Sequence, residues 1–89
     1  MERYYVIFSG KIQGVGFRYF VQLKASLFNI TGWVRNCNNG NVEMEVQGDK
    51  EKLSNFITVL KKGNGFSRID DYSIKKLDLI MNEKKLSIC

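Results

Sequence analysis

Three glycines and an arginine crowd one junction of this 89-residue chain, Gly10-Lys11-Ile12-Gln13-Gly14-Val15-Gly16-Phe17-Arg18. A turn from a strand into a helix points several main-chain N–H groups the same way, and the first four N–H groups of the helix have no partner inside it. With the partial positive charge at the helix N-terminus, such a turn can hold a phosphate. Glycine lets the backbone take positive φ and approach the ligand closely, and Gly14 and Gly16 stand where that is needed. Arg18 falls in the first helical turn, where its planar fork can grip two phosphate oxygens at once. The same residues also suit a tight turn with no ligand, and the turn alone leaves both readings open. The pattern is neither a P-loop nor a dinucleotide fingerprint, because the Lys-Ser/Thr pair of the first and the third glycine of the second are missing.

Asn36 is the second candidate. It closes the strand-like run Thr31-Gly32-Trp33-Val34-Arg35-Asn36-Cys37. Alternation puts Val34 and Asn36 on one side and Trp33 and Arg35 on the other. An amide exchanges no proton at neutral pH, but it can hold a water molecule in one orientation. It would equally cap the hairpin turn that follows. Trp33 reads as packing, Cys37 as a small strand hydrophobe, and Arg35 and Lys11 as solvated cations that at most steer anions.

The chain has no histidine, which removes the commonest general base and metal ligand. Its two cysteines, Cys37 and Cys89, lie far apart and outside any C-x-x-C pattern, so they are expected to be free thiols. No metal and no cofactor are expected.

These groups must be positioned by a small domain. The length suits one domain, residues 1–89, with a modest core. The composition, 44% hydrophobic and 26% charged, is ordinary for a globular chain. The net charge of +5 favours an anionic partner without choosing one, and the paired lysines read first as a solvated face. No apolar run approaches the roughly 18 residues of a membrane helix, and the first residues lack the long apolar stretch of a secretory leader, so a cytoplasmic location is expected.

The pattern predicts a strand over 3–10, then a helix over 17–28 with Phe17, Phe20, Val21, Leu23, Leu27 and Phe28 as its apolar stripe. Asn29 ends that helix in the left-handed region. A strand over 31–37 leads to Asn39-Gly40, the signature of a type I′ turn. In the third strand, 42–46, Val42, Met44 and Val46 face inward and the glutamates face water. Asp49 caps a second helix whose inner face is Leu53, Phe56, Ile57 and Leu60 and which Gly63 ends. A loop over 63–67, a strand within 69–79 and a short strand at 86–88 complete the chain. The order β-α-β-β-α-β belongs to the α+β class and suggests a ferredoxin-like sandwich, an antiparallel sheet with two helices on one face. That architecture hosts many activities, so the site must carry the functional argument.

The two blocks GKIQGVGFRYFVQLKA and TGWVRNCNNGNVEMEVQG, in that order, closely resemble the acylphosphatase family and with their flanks span residues 3–48. The resemblance implies an enzyme that hydrolyses small acyl phosphates, which are carboxylic-phosphoric anhydrides, to a carboxylate and inorganic phosphate. It carries the phosphate-binding arginine onto Arg18 and the water-orienting asparagine onto Asn36. The main-chain N–H cradle falls on Gln13, Gly14, Val15, Gly16, Phe17 and Arg18. Expected partners are the acyl phosphate and inorganic phosphate, with no nucleic acid, no membrane and a monomeric state. The missing histidine then fits, because a carboxylate whose acid has a pKa of about 4 departs without a general acid, leaving positioning and charge stabilisation as the main tasks.

Two rivals share the element order. One is an RNA-binding module, but its aromatic motif belongs on the third strand, where this chain has Val42-Glu43-Met44-Glu45-Val46. The other is a domain that binds phosphate or carbamoyl phosphate without turnover.

Overall fold

A computed structural model describes residues 1–89. The elements are β1 (Glu2–Lys11), α1 (Phe17–Phe28), β2 (Thr31–Asn36), β3 (Val42–Gly48), α2 (Lys50–Lys62), β4 (Arg68–Leu77) and β5 (Leu86–Ile88). They build one five-stranded sheet in the order β4-β1-β3-β2-β5. The pairs β1–β3, β1–β4 and β2–β3 are antiparallel. β5 instead runs parallel to β2, with Gly32 opposite Leu86 and Val34 opposite Ile88, so the complete sheet is mixed. The parallel pair arises because β4 lies on one edge and the chain must cross to the other before pairing again.

Alternation along the strands turns Val6, Phe8, Val34, Val42, Met44 and Val46 toward the helices, where all are shielded from water. Phe17, Val21 and Ala25 of α1 and Leu53, Phe56, Ile57 and Leu60 of α2 fill the same core, so both helices cover one face, the expected ferredoxin-like arrangement. Burying each large apolar side chain contributes about 1.5–3 kcal/mol. Phe28 meets Phe56 edge-on across the two helices, at 6.3 Å between ring centres.

The helix caps follow the sequence. Asn29 adopts φ +57°, and the N–H of Ile30 closes on the Ala25 carbonyl at 2.8 Å. The Asp49 side chain accepts the Lys52 N–H at 3.3 Å, and Gly63 ends α2.

Three expectations need correction. The buried stripe of α1 is narrower than its apolar residues suggest: Leu23 and Leu27 are 50% and 67% exposed, because they lie on the far side of the helix from Phe17, Val21 and Ala25. Glu43 does not face water but is buried, since the Tyr5 hydroxyl and the Arg35 guanidinium close over its carboxylate on the open face of the sheet. The β2–β3 hairpin is not type I′, because only Gly40 has positive φ, at +92°. The Gly40 N–H donates to Cys37 and the Cys37 N–H to Asn41, so Asn38, Asn39 and Gly40 form a three-residue loop with glycine at its left-handed position.

Residues 78–85 carry the chain from β4 across to β5. Arg3 of β1, fully buried on the face away from the helices, receives this strap: its guanidinium pairs with Glu45 at 2.9 Å and Glu83 at 2.8 Å and also donates to Gln47. The Gln47 amide in turn exchanges two hydrogen bonds with the main chain of Ile80, both 2.9 Å long. No helix is long and apolar enough to cross a membrane.

Candidate functional site

β1 ends at Lys11 and α1 begins at Phe17, so Ile12 to Gly16 must turn the chain from sheet to helix. Gly14 and Gly16 adopt φ +73° and +75°, and Gly16 is the residue that caps α1. A side chain added at Gly14 would meet nothing within 4 Å, so it is the left-handed backbone, not crowding, that calls for glycine. Placing left-handed residues between residues of negative φ turns successive N–H groups toward one concavity, the arrangement that binds anions. No main-chain N–H from Gln13 to Tyr19 donates a hydrogen bond to any acceptor in the protein. These donors are free, and the N-terminus of α1 adds its partial positive charge.

A cleft of about 220 Å³ opens at this turn. Gly14, Gly16, Arg18 and Asn36 all line it, so residues 14 and 16 of the turn, the arginine of the first helical turn and the asparagine at the end of β2 meet in one place. Ile12 and Phe17, each 1% exposed, form its floor, and Tyr19 and Ile88 stand at its mouth. Gln13 and Val15 do not line it. A larger hollow, about 420 Å³, lies at the other end of α1 beside Lys84 and Lys85 and shares none of these residues.

Arg18 donates through Nη1 to the main-chain oxygen of Cys89 at 3.2 Å. The Cys89 N–H is itself anchored on the Val34 carbonyl of β2 at 2.9 Å, which extends the β5–β2 pairing toward Asn36. This contact occupies one of the five guanidinium N–H groups and leaves the others for an anion. Asn36 carries a different feature: its Oδ1 is buried and accepts no hydrogen bond from the protein. A buried acceptor without a donor costs about 1–3 kcal/mol, which water or a ligand can recover.

Two side chains hold the turn that the sequence alone did not single out for this task. The Gln13 amide donates to the Cys37 and Asn41 carbonyls at 2.8 and 2.9 Å, tying the turn to the hairpin beyond Asn36. Asn64, in the loop between α2 and β4, donates to the Val15 carbonyl at 2.9 Å, and its own oxygen is fixed by the N–H groups of Phe66 and Ser67. The Gly63-Asn64-Gly65 sequence marks a turn, but its reach to Val15 is not local information.

On the opposite face of the same strands, Arg35 lies over the Trp33 ring, 5.5 Å from its centre. The Tyr5 hydroxyl, first, and then Arg35 hold the Glu43 carboxyl below its ordinary range despite the opposing effect of burial. The Glu43 carboxylate in turn pushes Tyr5 up to about 12. Cys37 and Cys89 are both free thiols.

A family model described as acylphosphatase matches residues 4–88. An acylphosphatase of Clostridium beijerinckii is 49% identical over 88 residues, which is 99% of this chain and 98% of the relative. The crystal structure of acylphosphatase from Bacillus subtilis matches with a TM-score of 0.94 at 37% identity, covering 100% of this chain and 99% of that one. The chain is also similar, with a TM-score of 0.86 and 31% identity, to 12% of the much longer T. kodakarensis HypF.

Proposed function

The chain belongs to the acylphosphatase family, and from that premise we propose how its residues divide the work. The reaction is hydrolysis of an acyl phosphate to a carboxylate and inorganic phosphate. In our reading the main-chain N–H groups from Gln13 to Arg18 and the Arg18 guanidinium receive the phosphoryl oxygens and take up the charge that develops on them. The Asn36 side-chain oxygen accepts a hydrogen bond from a water molecule and aims it at phosphorus. The water oxygen bonds to phosphorus as the bond from phosphorus to the acyl oxygen breaks. The acyl oxygen leaves with the electron pair as carboxylate, and the water proton passes to a phosphoryl oxygen. No protein acid or base is needed, because the leaving group is already a weak base.

The observation that supports this division best is the buried Oδ1 of Asn36, left without a protein donor on the same cleft as Arg18 and the two left-handed glycines. Release of inorganic phosphate from benzoyl phosphate tests it, with Arg18→Ala measured alongside. The variant is expected to lose nearly all turnover while keeping its fold; normal turnover would remove Arg18 from the chemistry.

We place the enzyme in the cytoplasm as a one-domain monomer acting on small molecules rather than nucleic acid. Its two free thiols suit a reducing compartment. The outward positions of β3 that an RNA-binding module would fill with aromatics hold Glu43 and Glu45, each already paired with an arginine.

A further inference from the structure

With the phosphoryl group on the turn and Arg18, and the water on Asn36, the cleft has little lining left for the third part of the reaction, the acyl group. Ile12 and Phe17 lie beneath, each 1% exposed. What remains is Tyr19, from the first turn of α1, and Ile88, from β5. Both are large and apolar and both stand open to water, Tyr19 at 67% and Ile88 at 39% exposure. Neither belongs to the hydrophobic core. A single exposed apolar side chain carries no message; here two of them, from elements far apart in sequence, meet at the mouth of one cleft. Arg18 is the only residue of the lining with a charged side chain. The volume, about 220 Å³, is below the roughly 300–1,000 Å³ of sites for larger ligands.

We propose that Tyr19 and Ile88 form the acyl-binding wall and tune the enzyme toward acyl phosphates with a small apolar acyl group, aromatic or branched, over acetyl phosphate. This inference rests on the phosphate-site reading above. A ring-bearing acyl group loses water against the Tyr19 ring and the Ile88 side chain as it binds, whereas an acetyl group is too short to cover them. The wall is therefore expected to affect discrimination between acyl groups and to leave phosphate binding alone.

The test compares kcat/KM for benzoyl phosphate and acetyl phosphate in the wild type, Tyr19→Ala, Ile88→Ser and Leu23→Ala, with inhibition by inorganic phosphate measured in each. Tyr19→Ala is expected to lose about 3- to 10-fold on benzoyl phosphate, the scale of one aromatic contact, and to stay within about 2-fold on acetyl phosphate. Ile88→Ser is expected to change the ratio in the same direction. Leu23→Ala, one turn further along α1 and outside the cleft, is expected to change neither substrate. Phosphate inhibition is expected to be unchanged throughout. Equal losses on both substrates, or no loss on benzoyl phosphate in either wall variant, overturn the wall. Full activity in Arg18→Ala would instead overturn the phosphate-site reading, and the wall with it.

Discussion

At the scale of single residues, the proposed division of work asks different things of Arg18 and Asn36, and on that reading their variants should fail differently. A lysine at position 18 keeps the charge but not the planar fork, so Arg18→Lys is expected to lower kcat/KM by roughly 10²-fold or more and to weaken inhibition by inorganic phosphate. Asn36→Ala removes the water's acceptor and leaves the phosphoryl contacts, so kcat should fall by roughly 10²-fold while phosphate still inhibits at near-normal concentration. Steady-state kinetics with phosphate as competitor separate the two. That the two residues would stand at one cleft was legible because each sits inside a sequence block whose local geometry the sequence dictates: glycines that must turn left-handed before a helix, and an alternating strand that puts Asn36 on the Val34 side. That the Asn36 oxygen is buried and unpartnered was not legible, since it depends on which other elements close around it.

At the scale of elements, the turn is held by groups distant in sequence. Asn64 reaches Val15 across 49 residues. Asn64→Ala would leave that carbonyl without its donor and is expected to cost about 1 kcal/mol of stability. It should also raise the phosphate concentration needed for half-inhibition several-fold, as the turn loosens. Unchanged phosphate inhibition would show that the turn holds its own shape. Gly32 serves packing rather than the turn: with φ +140°, an added side-chain carbon would lie 1.8 Å from the Glu45 carbonyl oxygen of β3. Gly32→Ala should therefore push β2 from β3 and destabilise the protein by about 3 kcal/mol or more. For a domain of this size that is a fall in Tm of more than about 10 °C in a calorimetric scan. The helices were readable because their apolar spacing and caps are written within a dozen residues. The hairpin was misread in type because Asn39-Gly40 is only half of what sets the turn; the pairing of Cys37 with Asn41 admits a third loop residue. The parallel direction of β5 was unreadable from three residues, Leu86 to Ile88, whose partner is chosen by the path of the strap before them.

At the scale of the whole molecule, the strap that runs from one edge of the sheet to the other is held through Arg3 of β1, which meets Glu83 across 80 residues. Arg3→Met strands the Glu45 and Glu83 carboxylates, and a loss of about 2–4 kcal/mol is expected in urea unfolding. Stability should also depend on pH through the hydrogen-bonded carboxylates. Glu43, held low by Tyr5 and then Arg35, has a folded pKa below its ordinary 4.5. Its contribution is therefore present above pH 4.5 and lost as pH falls through the folded value. Glu2, lowered first by Tyr4, and Asp70, lowered first by Arg68, act in the same direction. Tyr5 behaves oppositely: raised from 10 to about 12, its contribution is present below pH 10 and disappears between 10 and 12. Urea midpoints measured from pH 3 to 7 should fall on the acid side, and Glu43→Gln should flatten that slope.

If the N–H groups between Gln13 and Tyr19 receive an anion as proposed, they give the protein a reserve of stability that depends on its surroundings. Any oxyanion that fills them binds the native chain and not the unfolded one, so the melting temperature follows the logarithm of anion concentration. At a hundred times its dissociation constant, the anion adds about 2.7 kcal/mol. The reaction's own product, accumulating as substrate is consumed, would thus slow turnover and harden the enzyme against heat at the same time.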